Sequence, residues 1–315
     1  MINRSHRMVI ITPVYEDSSA FKILLENLFA VFGEEIFVIA VDDGSVHCPV
    51  NASCFYETQA AGTILKLQRN VGHQRAIATG LSFASGLVNE DHLLVIMDSD
   101  GEDRPSDIPT LIRRLGSSDV DIAVAARGQR TEALSFRLFY VFYKRLFHLL
   151  TGKAINFGNF MAMKPVAAKR LASMPELSIH IAAAALASKL RVGVCSIDRG
   201  TRYSGVSKMN FSGLVLHGFR GMMVFAEEVV VRVGLLCGGV AILTLFGALL
   251  AILLKVLGHS TPGWFSVALG VLVMIFVQTG ALALMILMLS GVTRRAEIAS
   301  SGNHVELIES VSYLD

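Results

Sequence analysis

Five short apolar, β-branched-rich runs recur in the first part of the chain: MVIITPV (8–14), IFVIAVDD (36–43), TILKLQ (63–68), HLLVIMD (92–98) and VDIAVAAR (120–127). Most end in polar residues. Between them, apolar positions fall at helical spacing over 19–32, 74–85 and 108–115. Strands alternating with helices predict an α/β domain on a mostly parallel sheet, with helices on both faces. Ligands bind such sheets beyond the carboxyl ends of the strands. The residues there are Pro13-Val14-Tyr15-Glu16, Asp42-Asp43-Gly44-Ser45, Arg69-Asn70, Asp98-Ser99-Asp100 and Arg127.

The pattern changes after residue 210. Residues 233–254 and 263–293 carry no charged side chain. The first run alone makes about 33 Å of helix, one bilayer core. The second is longer and can tilt or end in an interfacial turn. These runs explain a composition that is 53% hydrophobic and 17% charged, with mean hydropathy +0.55. Arg220 and Arg232 precede the pair and Arg294 and Arg295 follow it, while the short connection VLGHSTPGW has only Lys255 at its edge. The positive-inside rule then predicts an integral membrane protein with two spans, its α/β domain and both termini cytoplasmic. MVIITPV is short and broken by Pro13, so no signal peptide is expected. Cys48, Cys54, Cys195 and Cys237 lack metal-ligand spacing.

The chemistry is concentrated at VIMDSDGEDRP (95–105), where Asp98, Asp100, Glu102 and Asp103 crowd a strand end. An Asp-x-Asp pair there offers two hard oxygen ligands. A divalent cation takes one or two carboxylates and completes its shell with water and phosphate oxygens. A phosphatase-type Asp-x-Asp-Gly-Thr loop is the competing reading, but Glu102 stands where that loop wants Thr, and the motif is not on the first strand.

In order, TPVYED (12–17), VDDGS (41–45), RNVGHQRAIATGL (69–81), MDSDGEDRPSDIP (97–109) and RYSGVSKM (202–209) resemble family 2 glycosyltransferases of the GT-A fold. The resemblance is to the polyprenyl-phosphate branch, with its dolichol-phosphate mannosyltransferases and undecaprenyl-phosphate glucosyl- and aminoarabinosyl-transferases. It covers residues 8 to about 232. Processive polysaccharide synthases carry a Gln-x-x-Arg-Trp motif, whereas the only tryptophan here is Trp264.

The resemblance implies a GT-A (Rossmann-like) domain over 1–210, a juxtamembrane interfacial helix over 211–232, spans at 233–255 and 264–292, and a cytoplasmic tail over 293–315. It implies a donor-nucleotide pocket of Pro13, Tyr15, Glu16, Asp42, Asp43, Asn70 and Ser99, with Gly72 and His73 on the sugar side. Asp98 and Asp100 would hold Mg2+ or Mn2+. Glu102, Asp103 and Arg127 would join them as catalytic residues, and Arg202, Ser207, Lys208 and Asn159 would receive the acceptor phosphate. The partners implied are a UDP- or GDP-sugar, a polyprenyl (undecaprenyl or dolichyl) phosphate and a membrane. No nucleic acid is expected, and self-association into a homo-oligomer is left open. The segment INFGNFMAM (155–163) departs from the family's Gly-Asp-Phe-Arg, placing Asn159 for the carboxylate and Met161 for the cation.

Between Arg127 and Lys153 lie six Lys or Arg and one acid, Glu132. On a helix, Phe136, Phe139, Tyr140, Tyr143, Phe147 and Leu150 share one face, a pattern that suits the membrane interface. The expected reaction is a single inverting displacement, in which the acceptor phosphate attacks the anomeric carbon of the sugar. Transfer to another lipid or glycan acceptor, or a non-catalytic membrane adaptor with a degenerate domain, are the alternatives.

Overall fold

The computed structural model describes residues 2, 6–126, 134–203, 211–259, 263–300 and 305–314; within these, the side chains of 134–140, 211, 212, 214, 287, 289–300 and 305 are not described. Its strands are β1 (Met8–Val14), β2 (Ile36–Asp42), β3 (Gly62–Leu67), β4 (Leu93–Ile96), β5 (Ile122–Ala126), β6 (Phe157–Met163), β7 (Val192–Ser196) and β8 (Ile308–Leu314). Its helices are α1 (Ser18–Phe32), α2 (Ser53–Thr58), α3 (His73–Leu87), α4 (Ile108–Leu115), α5 (Leu134–Thr151), α6 (Pro165–Ala172), α7 (Ile181–Ala187), α8 (Phe211–Met223), α9 (Ala226–Val256) and α10 (Trp264–Ser300).

The chain divides into two units. The first comprises residues 1–144, 153–224 and 300–315. Its eight strands form one sheet in the order β7-β5-β6-β4-β1-β2-β3-β8. Pairs β1/β2, β1/β4, β2/β3 and β5/β7 are parallel. β6 runs antiparallel between β4 and β5. Both sheet faces are covered, so strand residues are apolar on both sides but still alternate. Ile36, Val38 and Ala40 join Phe21, Leu24 and Leu28 of α1 on one face, while Phe37, Ile39 and Val41 join Ala76, Ile77 and Leu81 of α3 on the other. This period of two is what fixes strand register.

The last strand departs from expectation. The segment after the second apolar helix, expected as a tail, ends in β8, which pairs antiparallel with β3 from Gly62↔Leu314 to Leu67↔Ile308. β3 would otherwise be an open edge, a template for unwanted pairing. IESVSYL alternates as an edge strand should, and its isolation beyond a long apolar stretch hid its partner.

The second unit comprises residues 145–152 and 225–299. Two of its helical stretches are long and apolar enough to cross a membrane, Ala226–Val256 and Trp264–Ile286, with mean hydropathy 2.5 and 2.3. Leu235, Leu236, Leu243, Phe246, Leu249 and Leu250 are all exposed. A soluble core helix would hide them. The stretch 211–232 falls in two helices, since α8 ends at Met223 and α9 starts at Ala226. Arg232 lies inside α9, where Nη1 donates to the Leu149 carbonyl at 2.9 Å. Phe147 stands edge-on to Phe225, with ring centroids 5.9 Å apart.

The aromatic face expected on α5 is only partly described. Tyr143 Oη donates to the Gly218 carbonyl at 2.9 Å and Phe147 is buried. Val141, Phe142 and Leu149 are exposed instead. Phe136, Phe139 and Tyr140 are outside the described side chains.

Candidate active site

The carboxylates at the ends of β1 and β2 are braced by backbone N–H groups. Asp42 is buried; Oδ1 accepts from Ser45 N at 2.8 Å and Oδ2 from Val50 N at 2.8 Å. Asp43 accepts from Val71 N at 2.7 Å and Gly72 N at 3.0 Å, tying the β2 loop to the β3 loop. Burial raises its pKa, and those two N–H donors oppose the rise. Gly44 sits between the loops at φ +69°, where a Cβ would lie 2.4 Å from the Arg69 carbonyl carbon. Only glycine permits that approach.

Glu16 adopts φ 49° and turns its carboxylate onto the backbone N–H groups of Val46, His47 and Cys48, at distances from 2.7 to 3.2 Å. The Val46 bond is the largest contribution to holding its pKa below the ordinary carboxylate value. In this arrangement Glu16 shapes the loop above β2. Tyr15 is exposed, Pro13 accepts through its carbonyl from Ser99 Oγ at 3.1 Å, and Asn70 is exposed at the mouth of the β3 loop.

Asp98, Asp100, Glu102 and Asp103 come together beyond β4. Asp103 Oδ2 accepts from Asp98 N at 2.9 Å and Asp100 Oδ1 from Glu102 N at 3.0 Å, so the loop braces itself. Gly101 takes φ +92°, and a Cβ there would lie 2.9 Å from the Tyr203 ring. Tyr203 N and Gly200 N donate to the Asp100 and Glu102 carbonyls, at 2.9 and 2.8 Å.

The segment carrying those two residues brings the cations. Arg202 Nη2 lies 2.9 Å from Asp100 Oδ2, and Arg202 Nε 2.9 Å from Glu102 Oε1. Arg199 also pairs with Glu102. Burial raises the pKa of Asp100, as does the charge of Asp98, against the pull of Arg202 and His73. His73 Nε2 stands 3.1 Å from Asp98 Oδ1. Burial would lower the pKa of His73, but 44% of its side chain stays exposed, and the charge and hydrogen bond of Asp98 prevail and raise it.

Asn159, on β6, places Nδ2 2.9 Å from His73 Nε2. Its Oδ1 accepts from Gln74 Nε2 at 3.1 Å. Met161 lies on the same strand with no exposed surface, packed in the sheet core. Behind this wall, the rings of His180 and His217 stack with centroids 4.4 Å apart. Burial, and then the His217 charge, push His180 down to about 3.

Arg127, Ser207 and Lys208 lie outside the described residues. Sequence reasoning missed Arg199, Gln74, His180 and His217. Arg199 had a signal, since it stands three residues before Arg202. Gln74 had none, because a glutamine opening a helix reads as solvated.

An Asp-x-Asp loop beyond the fourth strand of a mostly parallel sheet, faced by arginines, is the arrangement of a GT-A-like fold. Residues 9–169 match Glycosyl transferase family 2, and the chain belongs to that family. It is 27% identical over 219 residues to a dodecaprenyl-phosphate galacturonate synthase from Rhizobium johnstonii, covering 66% of this chain and 63% of that relative's length. It is 23% identical to an undecaprenyl-phosphate 4-deoxy-4-formamido-L-arabinose transferase from Shewanella sediminis, covering 79% of this chain and 75% of the relative. Mannosyl-3-phosphoglycerate synthase from Rubrobacter xylanophilus shares the fold at TM-score 0.51 and 14% identity, covering 71% and 74% of the two chains. Glucosyl-3-phosphoglycerate synthase from Mycobacterium tuberculosis, solved with Mg2+ and UDP, shares it at TM-score 0.50 and 11% identity, covering 71% and 79%.

Proposed function

We propose that the chain transfers a sugar, with inversion, from a UDP- or GDP-sugar to a polyprenyl phosphate at the cytoplasmic face of a membrane. The observation that carries this reading is the paired Asp98 and Asp100 at the end of β4, faced by Arg202. The names of the two polyprenyl-phosphate relatives support the acceptor class, and the apolar helices support a lipid-bound substrate.

The residues fit a divalent cation. Asp98 and Asp100 supply hard oxygens, and burial, then the charge of Asp98, raises the pKa of Asp100, a strain that a cation beside the pair would relieve. No cluster of three or more His, Cys, Asp or Glu suited to a metal occurs among the described residues. A cation held by two carboxylates is completed by water and phosphate oxygens. When bound, Mg2+ or Mn2+ supplies positive charge to the departing diphosphate.

The chain's own groups do the rest. Glu16, Asp42 and Asp43 hold the loops that wall the nucleotide pocket. Arg202 sits between Asp100 and Glu102, close enough to turn from carboxylate to phosphate oxygens as the donor enters. Asn159 cannot remove a proton, and the reaction does not require it to. A phosphate monoester has a second pKa of about 6, so its oxygen is already a nucleophile at neutral pH. The acceptor oxygen bonds to the anomeric carbon as the bond from that carbon to the diphosphate breaks.

Asp100→Asn tests the assignment. It should reduce transfer to background while leaving membrane insertion and the melting profile unchanged, and metal-dependent UDP binding should weaken with it. Wild-type turnover that survives thorough EDTA treatment would remove the metal from this account.

A further inference from the structure

Gln74 is 4% exposed, and its carboxamide cannot choose its orientation. Its Oε1 accepts from the backbone N–H of Ile181 at 2.7 Å, at the start of α7. A backbone N–H is only a donor, so the oxygen of Gln74 must face it and Nε2 must face the other way. On that other side Nε2 meets Asn159 Oδ1 at 3.1 Å. The same logic then orients Asn159, with its oxygen toward Gln74 and its Nδ2 toward His73 Nε2. A polarity set by one backbone amide is thus handed through two side chains to the edge of the carboxylate loop.

His73 Nε2 lies 3.1 Å from Asp98 Oδ1 and 2.9 Å from Asn159 Nδ2, so one ring nitrogen faces both groups. An amide nitrogen carries two hydrogens, and a single ring nitrogen can take at most one of them. Turning the Asn159 amide over would set its nitrogen against Gln74 Nε2. Turning Gln74 as well would set nitrogen against Ile181 N. Either flip sets donor against donor closer to buried backbone, where an unmet donor costs most. The remaining hydrogen of the half-buried Asn159 amide is the one a ligand oxygen can take.

We propose that Gln74 is a positioning residue that fixes the polarity of Asn159, so that amide N–H groups rather than a carbonyl are presented to an oxygen of the acceptor phosphate. This rests on the reading of the site as a sugar-to-lipid-phosphate transfer centre. It also gives a role to asparagine at this position: with Gln74 behind it, an aspartate would turn an anionic oxygen toward the incoming phosphate.

Two substitutions reverse the polarity by different routes. Gln74→Glu still accepts from Ile181 N, but its second oxygen draws the nitrogen of Asn159 inward and turns Oδ1 to the site. Asn159→Asp places oxygen there directly. The full-length protein in detergent is assayed for binding of citronellyl phosphate by calorimetry, and for steady-state transfer to undecaprenyl phosphate with the donor and acceptor varied separately.

Losing a hydrogen bond to a charged oxygen should raise the analogue Kd and the acceptor KM about tenfold or more in both variants. Donor KM and kcat should stay within about twofold of wild type. Gln74→Leu, which frees the Asn159 amide to rotate, should fall between wild type and Gln74→Glu. A folded Gln74→Glu protein with wild-type acceptor affinity would overturn the proposal. So would losses of kcat that track stability across all variants, or a rise confined to donor KM, which would assign the amide to a sugar hydroxyl. If Gln74→Glu does not fold, Asn159→Asp against Asn159→Ala decides: a weaker acceptor affinity in the aspartate variant supports the proposal, and equal affinities reject it. A wild-type protein that binds the analogue but transfers no sugar refutes the transferase reading, while the binding series still decides the role of Gln74. A wild-type protein that does not bind the analogue refutes both.

Discussion

His180 opens α7 as a neutral imidazole, its Nδ1 accepting from Ala183 N at 3.3 Å. Burial and the neighbouring His217 push its pKa from the ordinary 6.5 to about 3. The unfolded chain therefore binds a proton that the folded chain refuses between those values. Stability linked to this group is intact above pH 6.5 and is lost as pH falls toward 3. Asparagine can also accept at a helix N-cap without titrating. His180→Asn should flatten the fall in melting temperature between those limits, and thermal scans across pH check it; a slope equal to wild type would mean His180 does not set it. At this scale the sequence was legible in part. The position of Asp98 and Asp100 just beyond a strand was readable because an acidic pair ends an apolar run. The partners of Glu16, Asp42 and Asp43 were not, since three N–H donors converge on Glu16 only once residue 16 adopts its positive φ. Gln74 was hidden because its partners come from α7 and β6, 107 and 85 positions away.

Among the elements, the five parallel strands and helices α1, α3 and α4 were readable, because apolar runs covered on both faces are long and β-branched. The two other strands beyond β5 were not. FGNFMAM has glycine and asparagine at its second and third positions, and VGVCS is short with its residues alternating in burial. β8 is a different case: it alternates well, but pattern alone cannot say that it crosses back to β3. That pairing carries an energetic consequence. Deleting residues 305–315 uncovers the β3 edge, including Ile64, which is 7% exposed in the intact sheet. A loss of about 1–2 kcal/mol lowers the melting temperature of a domain this size by about 2–8 °C. The truncated protein should show that drop and a greater tendency to aggregate, measured by thermal scan and light scattering. Unchanged melting would mean β8 adds nothing to the sheet's stability.

For the whole molecule, β8 bears on topology. β8 follows the two apolar helices in sequence and pairs with β3. Under the proposed two-span arrangement an even number of crossings keeps both on one side, and the residues joining the helices would face the other side of the membrane. His259→Cys, with Cys237 replaced by alanine, should be labelled by a membrane-impermeant maleimide in intact cells. Cys48, exposed on the catalytic domain, should react only after lysis. Labelling of both, or of Cys48 alone, in intact cells would contradict this topology.

The central claim is that the Asp98 and Asp100 loop moves a sugar onto a lipid phosphate. The direct measurement is to incubate the detergent-purified, full-length protein with undecaprenyl phosphate and a panel of UDP- and GDP-sugars, then weigh the extracted lipid by mass spectrometry. The account predicts a lipid heavier by one glycosyl residue with one donor, formed with Mg2+ or Mn2+ and absent with Asp100→Asn. A lipid mass unchanged with every donor, from a protein shown to bind UDP or GDP, would contradict it.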